Sequence, residues 1–240
     1  MRSSGNIHVF IGPSDRAVSR WLQANPEPRI RLYPPARRGD LLEAPIVPED
    51  SVLIVDGTII QEPGPSHREI LDLLTRDVNV FGAASTGALR ASELTRFGMF
   101  GLGAVFEALM QGKLQDDGEL VACMHPATFQ PITMPLVNLR CVLKAMGDEL
   151  SLRSGDLKNL FDQAISIPLL ERDIDTISLI WASNGSMIVD AFRKLASSEI
   201  CDAKSRDAMF AMTKVSEHHS IDMADCGPKL SLSDFYWSSD

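Results

Sequence analysis

Three short apolar runs punctuate the first part of the chain: IHVFI at 7–11, SVLIVDG at 51–57 and VNVFG at 78–82. Each is bounded by Gly, Pro, Asp or Asn and is too short for a helix, so each predicts a strand. The unbroken SVLIV run predicts a strand covered on both faces, which places Asp56 at the carboxyl edge where open α/β sheets carry functional groups. Helical spacing fills the intervals. In 15–24, Ala17, Trp21 and Leu22 fit one apolar side. Ser66 followed three residues later by Glu69 is a capping-box signature, and it opens HREILDLLTRD, whose Ile70, Leu71, Leu73 and Leu74 form a broad stripe. The paired prolines in RIRLYPPARRGDLL keep that stretch extended and exclude it from the centre of a sheet.

From Gly87, GALRASELTRF predicts a helix, the glycines of GMFGLG interrupt it, and AVFEALMQG predicts a short helix stopped at Gly112. KLQDDGELVAC predicts a turn leading into a short strand. MPLVNLRCVLKAMGDE is amphipathic, with Leu136, Leu139, Val142 and Leu143 facing inward. Beyond Ser151 no strand pattern recurs, and 156–165, 168–182, 186–198 and 203–216 read as helices. The tail DCGPKLSLSDFYWSSD reads as irregular or docked through Phe235, Tyr236 and Trp237. The expected class is therefore α/β: a mostly parallel sheet with flanking helices, followed by a helical C-terminal portion. The expected division is an α/β core over 1–150 and a helical region over 151–240 packed on it.

Composition narrows the function. With 45% hydrophobic and 23% charged residues, the 240-residue chain has enough apolar material for a core, and its net charge of −9 argues against a phosphate-tracking surface. Nucleic acid is not an expected partner. No stretch reaches membrane-spanning length, so no membrane association is expected and the location reads as cytoplasmic. Cys123, Cys141, Cys201 and Cys226 lack zinc-ligand or disulfide-framework spacing and read as reduced, buried thiols. No metal and no cofactor are expected.

The chemistry concentrates at NVFGAASTGALR, 79–90, where a strand meets a helix through small residues and Ser85. A serine there has two uses. It can cap the free amides of the first helical turn, or it can stand outward as a nucleophile while those amides receive an oxyanion. Gly82 and Gly87 supply room for either, and Ala83 departs from the G-x-S-x-G elbow. His125 is the one histidine between this corner and the His218–His219 pair, without an acidic residue in an orienting context, so a Ser-His-Asp triad is disfavoured and so is an ordinary ester hydrolase. Arg90 and Glu93 share a helix face, either as an exposed ion pair or in a site. Asp116, Asp117 and Glu119 read as solvated, as a partner surface, or as a divalent-metal cluster. Arg37, Arg38 and Asp40 anchor a loop or grip a carboxylate tail.

The corner and what surrounds it resemble the TfuA-like protein family. GAASTGALRASEL, GMFGLG, the acidic DDGEL turn and the VNLR helix follow in the family's order, with VFIGPS, PPARRGDL, VDG and HREIL upstream, so the likeness runs from residue 8 to about 145. It implies a partner of YcaO-type enzymes, which activate a backbone amide of a precursor peptide so that sulfur replaces its oxygen. It further implies hydrolysis of the C-terminal thiocarboxylate of a ThiS-like sulfur carrier by a Ser-Lys pair; the alternative reading is a non-catalytic adaptor that only docks the peptide, the carrier or both onto the YcaO-type enzyme. Carried over, Ser85 is the nucleophile, and the amides of Thr86 and Gly87 are the oxyanion donors. Arg68 stands where the family pattern HKEIL has lysine. A guanidinium cannot accept the serine proton but can hold a carboxylate or thiocarboxylate, which leaves His67 or Glu69 to orient water. Lys113 is the nearest other lysine in sequence. Asp56, Arg38, Arg90, Glu93 and Gly82 complete the expected site.

Overall fold

The computed structural model describes residues 5–58, 62–114 and 117–217, which group into two compact units. One takes the chain up to Asp117 and resumes at Lys204; the other is Gly118–Ala203. The boundary expected at 150 is instead the end of helix α6 (Leu136–Leu150), inside the second unit, because the chain returns to the first unit with α10 (Ala203–Glu217).

The first unit is an all-parallel five-stranded sheet in the order β2-β1-β3-β4-β5: β1 is Ile7–Phe10, β2 Ile30–Tyr33, β3 Ser51–Ile54, β4 Asn79–Ala83 and β5 Phe100–Leu102. Registers such as Ile54↔Gly82 and Phe81↔Phe100 keep the carboxyl ends of the strands together. Strand residues alternate between two apolar layers. Val9, Leu53, Val55 and Phe81 pack with Val18 of α1 (Asp15–Ala24) and with Ala208, Ala211 and Met212 of α10. On the other face, Phe10, Val52, Ile54 and Val80 meet Leu41 of α2 (Asp40–Glu43), Ile70 and Leu73 of α3 (His67–Thr75), and Ala91 and Leu94 of α4 (Thr86–Leu94). Each fully buried Val, Leu, Ile or Phe side chain among them contributes about 1.5–3 kcal/mol.

As its prolines require, β2 is an edge strand. The other edge differs from the sequence expectation: the glycine-rich interruption at 98–103 contains β5. Gly101 leaves room there for the Phe106 ring of α5 (Ala104–Met110), which would have to shift to admit a Cβ. The strand expected after the acidic turn does not form; an isolated antiparallel bridge, Met124↔Pro131, takes its place. Asp207 of α10 is fully buried and caps α5, accepting from the amides of Ala104 at 3.0 Å and Val105 at 2.7 Å. Burial pushes its carboxyl up to about 7 against those amide bonds, with Arg206 opposing the rise and Glu107 adding to it.

The second unit contains α6, α7 (Ser154–Ile165), α8 (Ile174–Trp181) and α9 (Ser186–Ala196). Leu136, Leu139, Val142 and Leu143 are buried as their spacing predicts. Trp181 stacks edge-on against Phe192 at 4.7 Å and donates its Nε1–H to the Leu160 carbonyl at 3.2 Å. Two sequence motifs meet in this unit. Glu119 of the acidic turn takes both oxygens to Arg140 of the VNLR helix, at 2.6 and 3.3 Å, and the guanidinium lies 4.3 Å from the centre of the Phe161 ring. Glu119 is therefore a buried ion-pair partner. Asp116, the Asp117 side chain, Cys226, the His218–His219 pair and the tail aromatics lie outside the described residues.

Candidate functional site

The strand order 2-1-3-4-5 reverses direction between β1 and β3, and open α/β sheets bind ligands in the crevice at the carboxyl end of such a switch. Asp56 stands at that crevice, two residues past β3 and 2% exposed. It accepts from the amides of Gly12 and Ser14, both at 2.9 Å, and from the Ser14 hydroxyl at 3.0 Å, so the loop leaving β1 is tied to the end of β3. The buried Lys204 of α10 brings Nζ to 3.8 Å from its carboxylate.

Ser85 leaves the sheet on the neighbouring strand at the same edge. Ala84 before it has φ 63°, and the Ser85 amide bonds the Ala83 carbonyl at 2.7 Å, closing a tight γ-turn. A left-handed alanine here is local strain, which folded proteins retain chiefly where the surroundings enforce it. The surroundings are two glycines. A Cβ on Gly82 would strike the Gly87 carbonyl, and one on Gly87 would strike the Ile54 carbonyl, so β4, α4 and β3 touch backbone to backbone. That contact lets the chain reverse into α4 within two residues.

The capping alternative for Ser85 fails. It occupies the N-cap position, yet its side chain accepts nothing from the helix. The residue is 5% exposed, but Arg172 Nε is the sole buried side-chain nitrogen or oxygen without a partner among the described residues. The unbonded Ser85 hydroxyl therefore retains contact with solvent. Of the two expected oxyanion amides, that of Gly87 donates to the Val55 carbonyl at 3.2 Å and is taken up in packing. The Thr86 amide has no acceptor among the described residues, and the Thr86 hydroxyl bonds the Gly57 carbonyl at 3.1 Å.

The residues of HREIL are drawn elsewhere. His67 donates Nε2–H to Glu93 at 2.8 Å, and Arg90 binds the same carboxylate oxygen at 2.7 Å while its Nε–H donates to the Pro65 carbonyl at 3.0 Å. These three side chains pin the start of α3 to α4. Glu69 completes the capping box: it accepts from the Ser66 hydroxyl at 2.6 Å and amide at 3.1 Å, and from the Gly39 amide at 2.8 Å. With both oxygens engaged and 4% exposure, it is a structural cap. Arg68 and Arg38 line a cleft of about 550 Å³ between α2 and α3, whose lining does not include Ser85. Arg37 pairs with Glu62 at 3.0 Å, and Asp40 caps its own turn through the Arg37 amide at 2.8 Å. Lys113 is exposed beyond the end of α5, and His125 accepts from the Ala127 and Thr128 amides in its own turn, both at 3.3 Å.

Two members of the crevice were not legible as site residues. Ser14 carries a weak signal, the small polar residue shortly after a predicted strand. Lys204 carries none, since it is one of two lysines on a predicted helix.

The structure thus defines a doubly wound α/β protein with an uncapped serine at a strand-to-helix corner of its functional edge. The profile of the family described as TfuA-like protein matches residues 56–173, from Asp56 through the corner and on to Asp173. The chain belongs to the TfuA-like family. No curated protein matches it. Membership gives it an accessory role in modification carried out with a YcaO-type enzyme. No helix among the described residues is long and apolar enough to cross a membrane.

Proposed function

We propose that this protein hydrolyses the C-terminal thiocarboxylate of a small ThiS-like sulfur carrier and releases sulfide for thioamide formation by the YcaO-type enzyme on a precursor peptide. The observation that carries the reading is the Ser85 hydroxyl, unbonded and unused as a cap, beside a Thr86 amide that has no acceptor among the described residues at the start of α4. In this reading Ser85 Oγ attacks the thiocarboxylate carbon, and the developing oxyanion is received by the Thr86 amide and the positive end of the helix. The C–S bond breaks, sulfur departs as hydrosulfide, and water then cleaves the acyl-serine to return the carrier as a carboxylate. Lys204, rather than Arg68, is the amine proposed to take the hydroxyl proton. It is buried at the same sheet edge, held near Asp56, whereas Arg68 keeps its charge and lines a separate cleft.

The test is sulfide release from a thiocarboxylated carrier by the purified protein without its YcaO partner. Ser85→Ala is expected to reduce release at least ~100-fold, and Lys204→Met by a similar factor with the fold retained. Unchanged release from Ser85→Ala overturns the proposal. A second reading, a non-catalytic adaptor, is favoured by the two arginines of the α2–α3 cleft, whose guanidinium groups have no partner among the described residues. It predicts that wild-type protein releases no sulfide yet still binds the YcaO-type enzyme.

A further inference from the structure

The cleft between α2 and α3 stands apart from the serine and carries its own chemistry. Its cationic end is Arg38 and Arg68, its middle Leu42 and Leu71, and its far end Asp72 and Thr75. Arginines around it are all matched: Arg37 to Glu62 at 3.0 Å, Arg76 to Asp72 at 3.5 Å and Arg90 to Glu93 at 2.7 Å. Arg38 and Arg68 have no carboxylate or carbonyl partner for their guanidinium groups among the described residues. In a chain of net charge −9, two adjacent cations left unmatched present a local field of the opposite sign.

Among the described residues, neither carboxylate of the lining pairs with these two guanidinium groups. Glu69 also lines it, but its two oxygens are held by Ser66 and the Gly39 amide. Asp72 is turned to Arg76, and the first turn of α3 adds the positive end of its dipole beside Arg68. The position of Arg38 is fixed, because its amide donates to the Pro63 carbonyl at 2.8 Å. Beside the charges lies apolar surface: Leu42 is 57% exposed and Leu71 is half-buried.

The direction of the groove selects the occupant. Arg68, Leu71 and Thr75 follow one face of α3 for two turns, about 10 Å, which matches roughly three residues of extended chain. In extended chain, residues i and i+2 face the same way. We infer that this cleft docks an extended acidic peptide segment of a partner protein, a side-chain carboxylate held by Arg38 and Arg68 and an aliphatic side chain two residues on lying against Leu42 and Leu71. Planar guanidinium groups suit carboxylates in this way, where a pair of lysines would offer point charges alone. The inference does not depend on the serine chemistry.

The experiment is fluorescence anisotropy with fluorescein-labelled Gly-Glu-Glu-Leu-Leu-Gly, amidated at its C-terminus so that every carboxylate is a side chain, titrated with full-length protein at low salt. The expected result is saturable binding that weakens at least tenfold in Arg38→Gln, in Arg68→Gln and in the Gln-Gln analogue of the peptide, and about threefold or more in Leu42→Ser. Ser85→Ala is expected to bind like wild type, which separates this site from the proposed catalytic one. Both arginines are exposed, so their replacement leaves the thermal melt in place, and the melt is recorded as the check. Absence of binding by wild type, equal binding of the Gln-Gln analogue, or indifference to both arginine substitutions overturns the inference. Preference for a Gln-Gln peptide with a free C-terminus also overturns it, by assigning the guanidinium pair to a chain terminus.

Discussion

Replacing Asp207 with asparagine isolates one group that makes the fold sensitive to pH. The carboxyl is fully buried, pushed up to about 7, and faces the amides of Ala104 and Val105. In the unfolded chain it returns to its ordinary value of 3.8. Between those two values the folded state binds the proton that the unfolded state has lost, so the group's contribution is fully present below the lower value and is lost as pH rises through about 7. At about 1.4 kcal/mol per pH unit, wild type is expected to lose about 2 kcal/mol from this group between pH 5 and pH 7. The side-chain amide introduced by Asp207→Asn does not titrate and keeps an oxygen for one of the two backbone amides. Urea unfolding of both proteins across that range gives the difference directly, with every other titrating group common to both. The asparagine variant is expected to gain on wild type as pH rises. A difference that is flat, or one in which wild type gains with pH, refutes the reasoning, for it would show that the amide bonds and the α5 dipole outweigh burial.

Gly87→Ala is expected to destabilise the protein by more than about 3 kcal/mol, because its Cβ would meet the Ile54 carbonyl, part of a strand that cannot give way; a melting temperature within a few degrees of wild type would contradict this. Glu119→Ala leaves Arg140 charged and mostly buried, and a loss of about 3 kcal/mol is expected in urea unfolding, with Arg140→Met in the same background recovering part of it. Ser85→Ala, by contrast, is expected to change stability by less than about 1 kcal/mol, since no helix amide loses a cap.

Much of the first unit follows from local pattern. Unbroken apolar runs locate β1, β3 and β4 because a strand buried on both faces must be apolar at nearly every position. Ser66 and Glu69 announce the start of α3, since the capping box is completed by residues three apart. The corner at Ser85 was legible for a similar reason: small residues between a strand and a helix signal that backbones approach closely there. Whether the serine caps the helix was not legible. That depends on the γ-turn at Ala84, which swings the side chain away from the first turn.

What the chain alone determined is its local grammar: which stretches extend, which coil, and where the turns between them need glycine. Pairing across long separations came from the tertiary structure, because no local period records it. Phe100–Leu102 becomes a strand since β4 offers it an edge, and Asp207 reaches back more than a hundred residues to cap α5. The same return of α10 brings Lys204 beside Asp56, while the capping of α3 turns Arg68 toward another cleft. Side-chain chemistry is written residue by residue, but the company each charge keeps is set by how helices close over the sheet.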